Sequence, residues 1–172
     1  DSNSNLDIRS IYFSPKKKLV FLGLETKGFS SYDLFEKKLN YISSIKPKCL
    51  QDNNLNKIFI DKYENKWLLT NLSVNIINQF QINNHKYDIT NPWDICSIKK
   101  SNWVIARDFE SNLIIKFDEK GNLIESFSSK ETNIPNRFWD IEPYKNFLLI
   151  SSIEGLLAFD TLAKEFVDIK KA

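Results

Sequence analysis

Residue types that build catalytic and metal sites are scarce in this chain. Its 172 residues include no methionine, one histidine, two cysteines and four glycines. No GxGxxG, P-loop or HExxH pattern is present, and four glycines are too few for a phosphate-cradling loop. His85 would have to serve any Ser-His-Asp triad, but its polar surroundings predict an exposed loop. We therefore expect no catalytic residue, metal or cofactor.

The two cysteines do not suggest a metal site either. The spacing of Cys49 and Cys96 fits no metal motif, and nothing in the sequence supports a disulfide between them. Cys96 stands among apolar residues, which predicts a buried free thiol.

The chain also lacks an excess of one charge and any long apolar run. Its 24 basic and 22 acidic residues give a net charge of +2. The one basic run, Lys16 to Lys18, follows Pro15 and predicts a hairpin tip, so we expect no nucleic-acid partner. No apolar run approaches the roughly 20 residues needed to span a bilayer. The opening residues Asp1 to Asn5 are expected to be a processed or trimmed end from which a signal peptide could have been removed upstream.

Aromatic and branched residues are plentiful. Phenylalanine, tyrosine and tryptophan make up 13% of the chain and 42% is hydrophobic. Alanine and glutamine, which help to fill long helices, are sparse. This composition favours strands, because branched and aromatic side chains pack well on a pleated surface.

The apolar residues repeat in a long period. An apolar strand, a polar turn and a second apolar strand recur four times, anchored by Ile11, Ile58, Ile95 and Ile141. The anchors are separated by 47, 37 and 46 residues. Propeller blades have periods of roughly 40–50 residues.

Each copy continues with two further strands. An aromatic residue followed by aspartate, then a polar turn, recurs at Asp33, Asp118 and Asp160, where the aspartate can hydrogen-bond its own turn. The second copy lacks this aspartate, and its last two strands are predicted at 74–78 and 79–82.

These units predict an all-β fold, namely a β-propeller of about four four-stranded antiparallel blades. Residues 1–172 form a single propeller segment, with blades at approximately 6–46, 47–86, 87–132 and 133–172. A sandwich or an open barrel is the alternative, but neither requires the same strand to recur every forty-odd residues.

Three of the copies resemble a known repeat. The segments 10–33, 57–71 and 140–160 resemble the propeller repeats of two-component regulators, whereas 91–127 is more similar to the related NHL-type repeat. The resemblance implies the periplasmic or extracellular sensor region of a bacterial hybrid histidine kinase, within a larger ring of about seven blades. It further implies a small-molecule or glycan ligand, and partners that are the remaining blades or downstream signalling domains, with a homodimer formed through the full receptor.

The most specific local motif is a repeated tripeptide, Trp93-Asp94-Ile95 and Trp139-Asp140-Ile141. Both copies precede or begin the first strand of a blade, where neighbouring loops open on one face. Aromatic faces beside carboxylates suit sugar recognition. The alternative is that the tryptophans pack between blades while the aspartates cap turns or bind backbone N–H groups.

Two arginines are expected on the same face. Arg107 and Arg137 stand out in a lysine-rich chain, and a guanidinium suits a carboxylate ligand. An ordinary surface ion pair is the alternative. The predicted ligand-binding residues are therefore Trp93, Asp94, Trp139, Asp140, Arg107 and Arg137.

Three functions are compatible with this site. The first is an extracytoplasmic ligand-sensing module of a two-component receptor. The second is a free-standing NHL-like propeller that acts as a protein-interaction or carbohydrate-binding scaffold. The third, a lactonase or lyase with an axial metal, is disfavoured because Ser10 and Lys57 stand where Asp94 and Asp140 would supply ligands. We expect this segment not to be an enzyme, while the full-length protein carries the kinase.

Overall fold

The computed structural model describes residues 7–25, 28–41, 54–77, 85–87, 89–107, 111–129 and 137–169. The regular structure of this part consists of four antiparallel sheets of four strands each, with the strands in sequential order. The chain divides into two compact units, Asp1–Asp88 and Ile89–Ala172, each of which holds two sheets. None of the described residues forms a helix long and apolar enough to cross a membrane.

The first unit contains sheets 1 and 2. Sheet 1 consists of β1 (Ile8–Ser14), β2 (Leu19–Leu24), β3 (Gly28–Asp33) and β4 (Lys38–Tyr41). Sheet 2 consists of β5 (Leu55–Ile60), β6 (Lys66–Thr70), β7 (Val74–Ile77) and β8 (His85–Tyr87).

The second unit contains sheets 3 and 4. Sheet 3 consists of β9 (Pro92–Ile98), β10 (Ser101–Arg107), β11 (Asn112–Phe117) and β12 (Leu123–Ser128). Sheet 4 consists of β13 (Phe138–Tyr144), β14 (Phe147–Ser152), β15 (Gly155–Asp160) and β16 (Glu165–Val167).

The sequence-based assignment of the last strand of sheet 2 was wrong. His85 begins β8 and pairs with Ile76, so it does not lie in a loop. The predicted strand at 79–82 falls outside the described residues. The residues that flank this short strand in the sequence are polar, and the aromatic-aspartate motif is absent before it, so its sequence carries little strand signal.

The turn aspartates do what their sequence positions predict. Asp33, Asp118 and Asp160 each accept hydrogen bonds from two backbone N–H groups of the turn that follows, at 2.8–3.1 Å.

Five lysines in turns have positive φ angles between 53° and 61°, namely Lys18, Lys37, Lys99, Lys145 and Lys164. Lysine is uncommon in this left-handed region, where glycine and asparagine are preferred.

Sheet 2 carries a turn aspartate at a different place, between its first two strands. Asp61 is buried and accepts hydrogen bonds from the backbone N–H groups of Tyr63 and Asn65. It also accepts from the Asn65 amide and from the Trp67 indole Nε1, both at 2.9 Å. A single carboxylate therefore fixes both this turn and the ring of a fully buried tryptophan.

Within each unit, the two sheets pack face to face. Phe21, Phe29, Leu55, Ile58 and Leu68 form the core between sheets 1 and 2. The core between sheets 3 and 4 includes Trp103, Ile105, Ile114, Phe138, Ile141, Leu148, Ile150 and Phe159. The anchor isoleucines Ile58 and Ile141 thus bury their side chains against the preceding sheet of their unit.

One hydrogen bond joins each pair of sheets at the same repeat position. The Ile58 N–H donates to Ser10 Oγ at 3.0 Å, and the Ile141 N–H donates to Asp94 Oδ2 at 3.3 Å. In each case the acceptor is the residue that precedes the anchor isoleucine of the preceding sheet. Since β5 and β13 are edge strands, this side chain satisfies an amide that points away from its own sheet.

A β-bulge recurs at the start of the first strand of every sheet. In sheet 1, Ile8 pairs with Leu24 and Ser10 with Gly23, so that Arg9 is the extra residue. The register shifts in the other three sheets leave Asn56, Trp93 and Trp139 as the extra residues. The bulged residue lies two positions before the anchor isoleucine in each copy.

A carboxylate held by two lysines also links the sheets of each unit. Glu64 of sheet 2 binds Lys16 and Lys17 of sheet 1 at 2.6 and 2.9 Å. In the second unit, Glu125 of sheet 3 binds Lys116 at 3.2 Å and Lys164 of sheet 4 at 2.6 Å. The hydrogen bonds from Lys16 and then Lys17 lower the pKa of Glu64 to about 2.

We predict that Ser10→Ala destabilises the first unit by about 1–3 kcal/mol, because the buried Ile58 amide loses its acceptor. Hydrogen exchange of the Ile58 amide and urea unfolding measure this loss. Ser126→Ala, which removes an exposed hydroxyl, is the control and should leave both unchanged. An unchanged Ile58 exchange rate in Ser10→Ala would show that another acceptor suffices.

We predict that Glu64→Gln lowers the urea midpoint at pH 7 and that 1 M NaCl reduces the difference from wild type. The folded-state pKa of about 2 lies below the ordinary value of 4.5, so the ion pairs stabilise fully above pH 4.5. Their contribution should disappear as the pH falls from 4.5 to 2. Glu36→Gln, in the exposed β3–β4 turn, is the control. A difference that persisted at pH 2 would contradict this assignment.

Candidate functional site

The four bulges place one side chain of each sheet outside the regular ladder. A bulged residue makes no pair of its own, and its side chain is turned away from the alternation of the strand. These bulge positions are occupied by Arg9 and Asn56 in the first unit and by Trp93 and Trp139 in the second. Each bulge lies opposite the last residues of the second strand of its sheet.

In the second unit, the bulge exposes two tryptophans. Trp93 is 45% exposed and Trp139 is 53% exposed, whereas Trp67 and Trp103 are at most 1% exposed. About half of each of these two side chains therefore meets solvent, which differs from the complete burial of the other two tryptophans. The hydrogen bond from Ile141 to Asp94 holds the two strands that carry them side by side.

The two aspartates of the motif have different environments. Asp94 is 3% exposed, and its two carboxylate oxygens accept the backbone N–H groups of Ile95 and Ile141 at 2.9 and 3.3 Å. These contacts match the alternative in which an aspartate binds backbone N–H groups. We therefore infer that Asp94 positions β13 against β9. Asp140 is exposed next to Trp139. One carboxylate of the motif thus faces solvent at the bulge end of the unit.

Both predicted arginines lie at this end of the second unit. The Arg107 N–H, at the end of β10, donates to the Asn91 carbonyl at 3.1 Å. The Arg137 carbonyl, immediately before β13, accepts the Ile153 N–H at 3.2 Å. These backbone contacts flank the bulges at Trp93 and Trp139. The structure therefore brings Trp93, Trp139, Asp140, Arg107 and Arg137 to the bulge end of one unit, and we call these five residues the rim.

The first unit has a polar pocket at the corresponding end. It is lined by Arg9, Glu25, Asn54, Leu55, Asn56 and Asn71, and Arg9 forms an ion pair with Glu25. Arg9 and Asn56 were not identified from the sequence. Their signal was their place two residues before the anchor isoleucine, which is the place that Trp93 and Trp139 occupy in their copies.

Potential metal ligands do not cluster in the described part of the chain. No three or more His, Cys, Asp or Glu residues lie together there in a way that could hold a metal ion. Cys96 is a buried free thiol, as predicted. Its burial is the main reason why its pKa is raised, and the nearby Asp94 carboxylate raises the pKa further. A thiol with a raised pKa is a poor nucleophile at neutral pH. Cys49 lies outside the described residues.

Searches of family models and of curated proteins found no match to this chain. Solved structures do match. One is the extracellular domain of BT4673 from B. thetaiotaomicron, assigned as a hybrid two-component system; its TM-score is 0.68 at 13% sequence identity, and the match covers 95% of this chain and 25% of that chain. The extracellular domain of BT3049 from the same organism, assigned to the same class, has a TM-score of 0.65 at 17% identity, and the match covers 96% of this chain and 25% of that chain. The WD40 domain of Neurospora crassa Pan2 has a TM-score of 0.69 at 10% identity, and the match covers 95% of this chain and 49% of that chain.

These likenesses confirm the β-propeller fold that the repeats predict. They also confirm, at the level of fold, the resemblance to two-component regulator propellers. The chain spans about a quarter of the length of the two-component domains that it matches.

We predict that iodide quenches the emission of two of the four tryptophans, since only Trp93 and Trp139 are substantially exposed. Replacing either with phenylalanine should remove about half of the quenchable emission, in proportion to the exposed rings. Trp67→Phe is the control and should leave the quenchable emission unchanged. Quenching that survived in the Trp93→Phe, Trp139→Phe double variant would contradict the observed burial.

Proposed function

We propose that this chain is part of an extracytoplasmic propeller that senses a ligand for a two-component receptor, and that the ligand is a glycan. The observation that carries the proposal is the pair of half-exposed tryptophans at equivalent bulges of adjacent strands. Exposing two large aromatic rings has no benefit for the stability of the sheets. Their placement is better explained by a ligand that covers them.

The chemistry of the rim suits a sugar. An aromatic ring stacks on the apolar C–H face of a pyranose, and carboxylates accept hydrogen bonds from its hydroxyl groups. Asp140 would accept such bonds beside Trp139, and the Arg107 and Arg137 guanidinium groups would donate them. The two guanidinium groups also favour a sugar that carries a carboxylate. In this proposal the segment binds its ligand without changing it.

The solved structures that share this fold support the setting of the proposed sensor. Two of them are extracellular domains of systems assigned to the hybrid two-component class. We extend that setting to this chain as part of the proposal, with a periplasmic or extracellular location and a histidine kinase in the full-length protein. Ligand binding would then be transmitted by a rigid-body change of the propeller.

A free-standing scaffold is the second candidate. Its support is that the Pan2 WD40 domain matches with a TM-score of 0.69, which is as high as the scores of the two-component domains. Fold likeness therefore does not separate the two candidates. A protein that binds at the rim would favour a protein-interaction scaffold, whereas a bound glycan fits both the sensor and a carbohydrate-binding scaffold.

The experiment is a glycan array of neutral and acidic oligosaccharides, followed by titration of each hit against the tryptophan emission. Trp93→Ala and Trp139→Ala should each weaken binding by about 2 kcal/mol, which is roughly 30-fold, because each removes an aromatic anchor. Phe35→Ala, which removes an 84% exposed ring from the β3–β4 turn, is the matched control. Absence of any hit, or wild-type affinity in both tryptophan variants, would sink the glycan proposal.

A further inference from the structure

A cavity of about 160 Å³ lies between sheets 1 and 2, at the end of the first unit opposite to its bulges. We call it the turn cavity, because the turns between the first two strands of both sheets line it. Its volume is below the roughly 300–1,000 Å³ of pockets for drug-sized ligands, so it suits a smaller molecule. Its lining residues are Tyr12, Ser14, Pro15, Lys16 and Lys17 of sheet 1, and Ile60, Asp61, Glu64 and Lys66 of sheet 2.

Both carboxylates of the turn cavity are engaged by other groups. Glu64 is held by Lys16 and Lys17, at 2.6 and 2.9 Å. Asp61 is buried and accepts the N–H groups of its own turn and of the Trp67 indole. Lys66 is half-buried and forms no ion pair within the part of the chain that the structure describes. The turn cavity therefore contains a cation for which an added anion would be the counterion.

The charges around Lys66 favour such an anion. Burial is the main reason why the pKa of Lys66 is lowered, the Lys17 ammonium lowers it further, and Glu64 opposes this only in part. A bound anion would compensate both effects. Three ammonium groups and two carboxylates line the turn cavity, which leaves one positive charge in excess. A singly charged anion balances that excess, whereas a phosphate dianion exceeds it.

An apolar wall adjoins the ammonium groups. Tyr12 and Ile60 are half-buried and pack against the core between sheets 1 and 2. The Tyr12 hydroxyl donates to the Ile60 carbonyl at 3.3 Å, which holds the ring across the boundary between the two sheets. The Pro15 ring adds a further apolar surface. This combination suits a ligand with a charged head and an apolar body.

We propose that the turn cavity binds a small organic monocarboxylate. Its carboxylate would accept hydrogen bonds from Lys66 and from Lys17, whose ammonium group has donors beyond the one that serves Glu64. Its apolar body would lie against Tyr12 and Ile60. The proposal goes beyond the glycan at the rim and does not depend on it, because every residue of the turn cavity belongs to the first unit.

Titration of the ¹⁵N-labelled chain with benzoate, at constant ionic strength, tests this site by NMR. Benzoate should shift the amides of Tyr12, Ile60 and Lys66 saturably. Benzamide has the same ring without the charge and should bind about tenfold more weakly or less, because it lacks the charge-assisted bonds. Inorganic phosphate should not displace benzoate.

Lys66→Gln should weaken benzoate binding about tenfold, whereas Lys66→Arg keeps the charge and should retain it within about threefold. Lys38→Gln is the matched control, because it removes the same charge from an exposed strand lysine of the same unit. Trp139→Ala should also bind benzoate like wild type, which separates the turn cavity from the rim.

Four outcomes would overturn the proposal. They are shifts that never saturate, equal binding of benzamide, displacement of benzoate by phosphate, and wild-type affinity in Lys66→Gln. The comparison of benzoate with benzamide uses the wild-type chain, so it decides even where a variant folds poorly. A failure of the glycan array would leave this result unaffected.

Discussion

The amide of the anchor isoleucine in β5 and in β13 points away from its own sheet, and a side chain of the preceding sheet supplies its acceptor. Ser10 provides this acceptor for Ile58, and Asp94 provides it for Ile141. An unsatisfied buried amide is costly, so the bond restricts how far one sheet can shift along the next. The hydrogen bond thus sets the alignment of the two sheets, and the apolar core between them supplies most of the stabilisation.

The position of the rim depends on that alignment. Each acceptor residue directly follows a bulged residue, so the strand that buries Ser10 or Asp94 also turns Arg9 or Trp93 out of the ladder. Asp94 illustrates the connection, since its buried carboxylate holds β13 against β9 while the adjacent indole remains half exposed. Exposed and buried structural residues therefore alternate along one short segment, and the sequence motif Trp-Asp-Ile contains both kinds.

The sequence predicted the architecture because its signals are periodic and local. The anchor isoleucines mark each first strand, and Asp33, Asp118 and Asp160 mark turns through hydrogen bonds that the residue type itself makes. The strand β8 was missed because its few residues carry no such marker. The bulges were also missed, because an extra residue shifts the alternation of buried and exposed side chains by one position. In addition, Arg9 and Asn56 are chemically unlike Trp93, so the repeats do not show by residue type that these positions correspond.

For the tryptophans and aspartates of the Trp-Asp motifs, the sequence left two roles open, ligand contact and structural packing, and could not decide between them. Asp94 and Asp140 have the same neighbours in sequence, yet one is buried and the other exposed. Their difference arises from whether another sheet packs on that strand, which is a property of the assembly. Burial of the two tryptophans was equally undecidable, because an indole serves in a core as well as at a ligand site.

The bulge has an evolutionary consequence. A residue without a partner in the ladder can change identity without disturbing the strand pairs on either side, as its occupation by arginine, asparagine and tryptophan illustrates. Duplication of a blade copies the scaffold and the bulge together, and later substitutions at that one site alter the surface of the new copy. Stability and specificity can therefore diversify separately in a protein built this way, so that new binding surfaces arise by point mutation on an inherited frame.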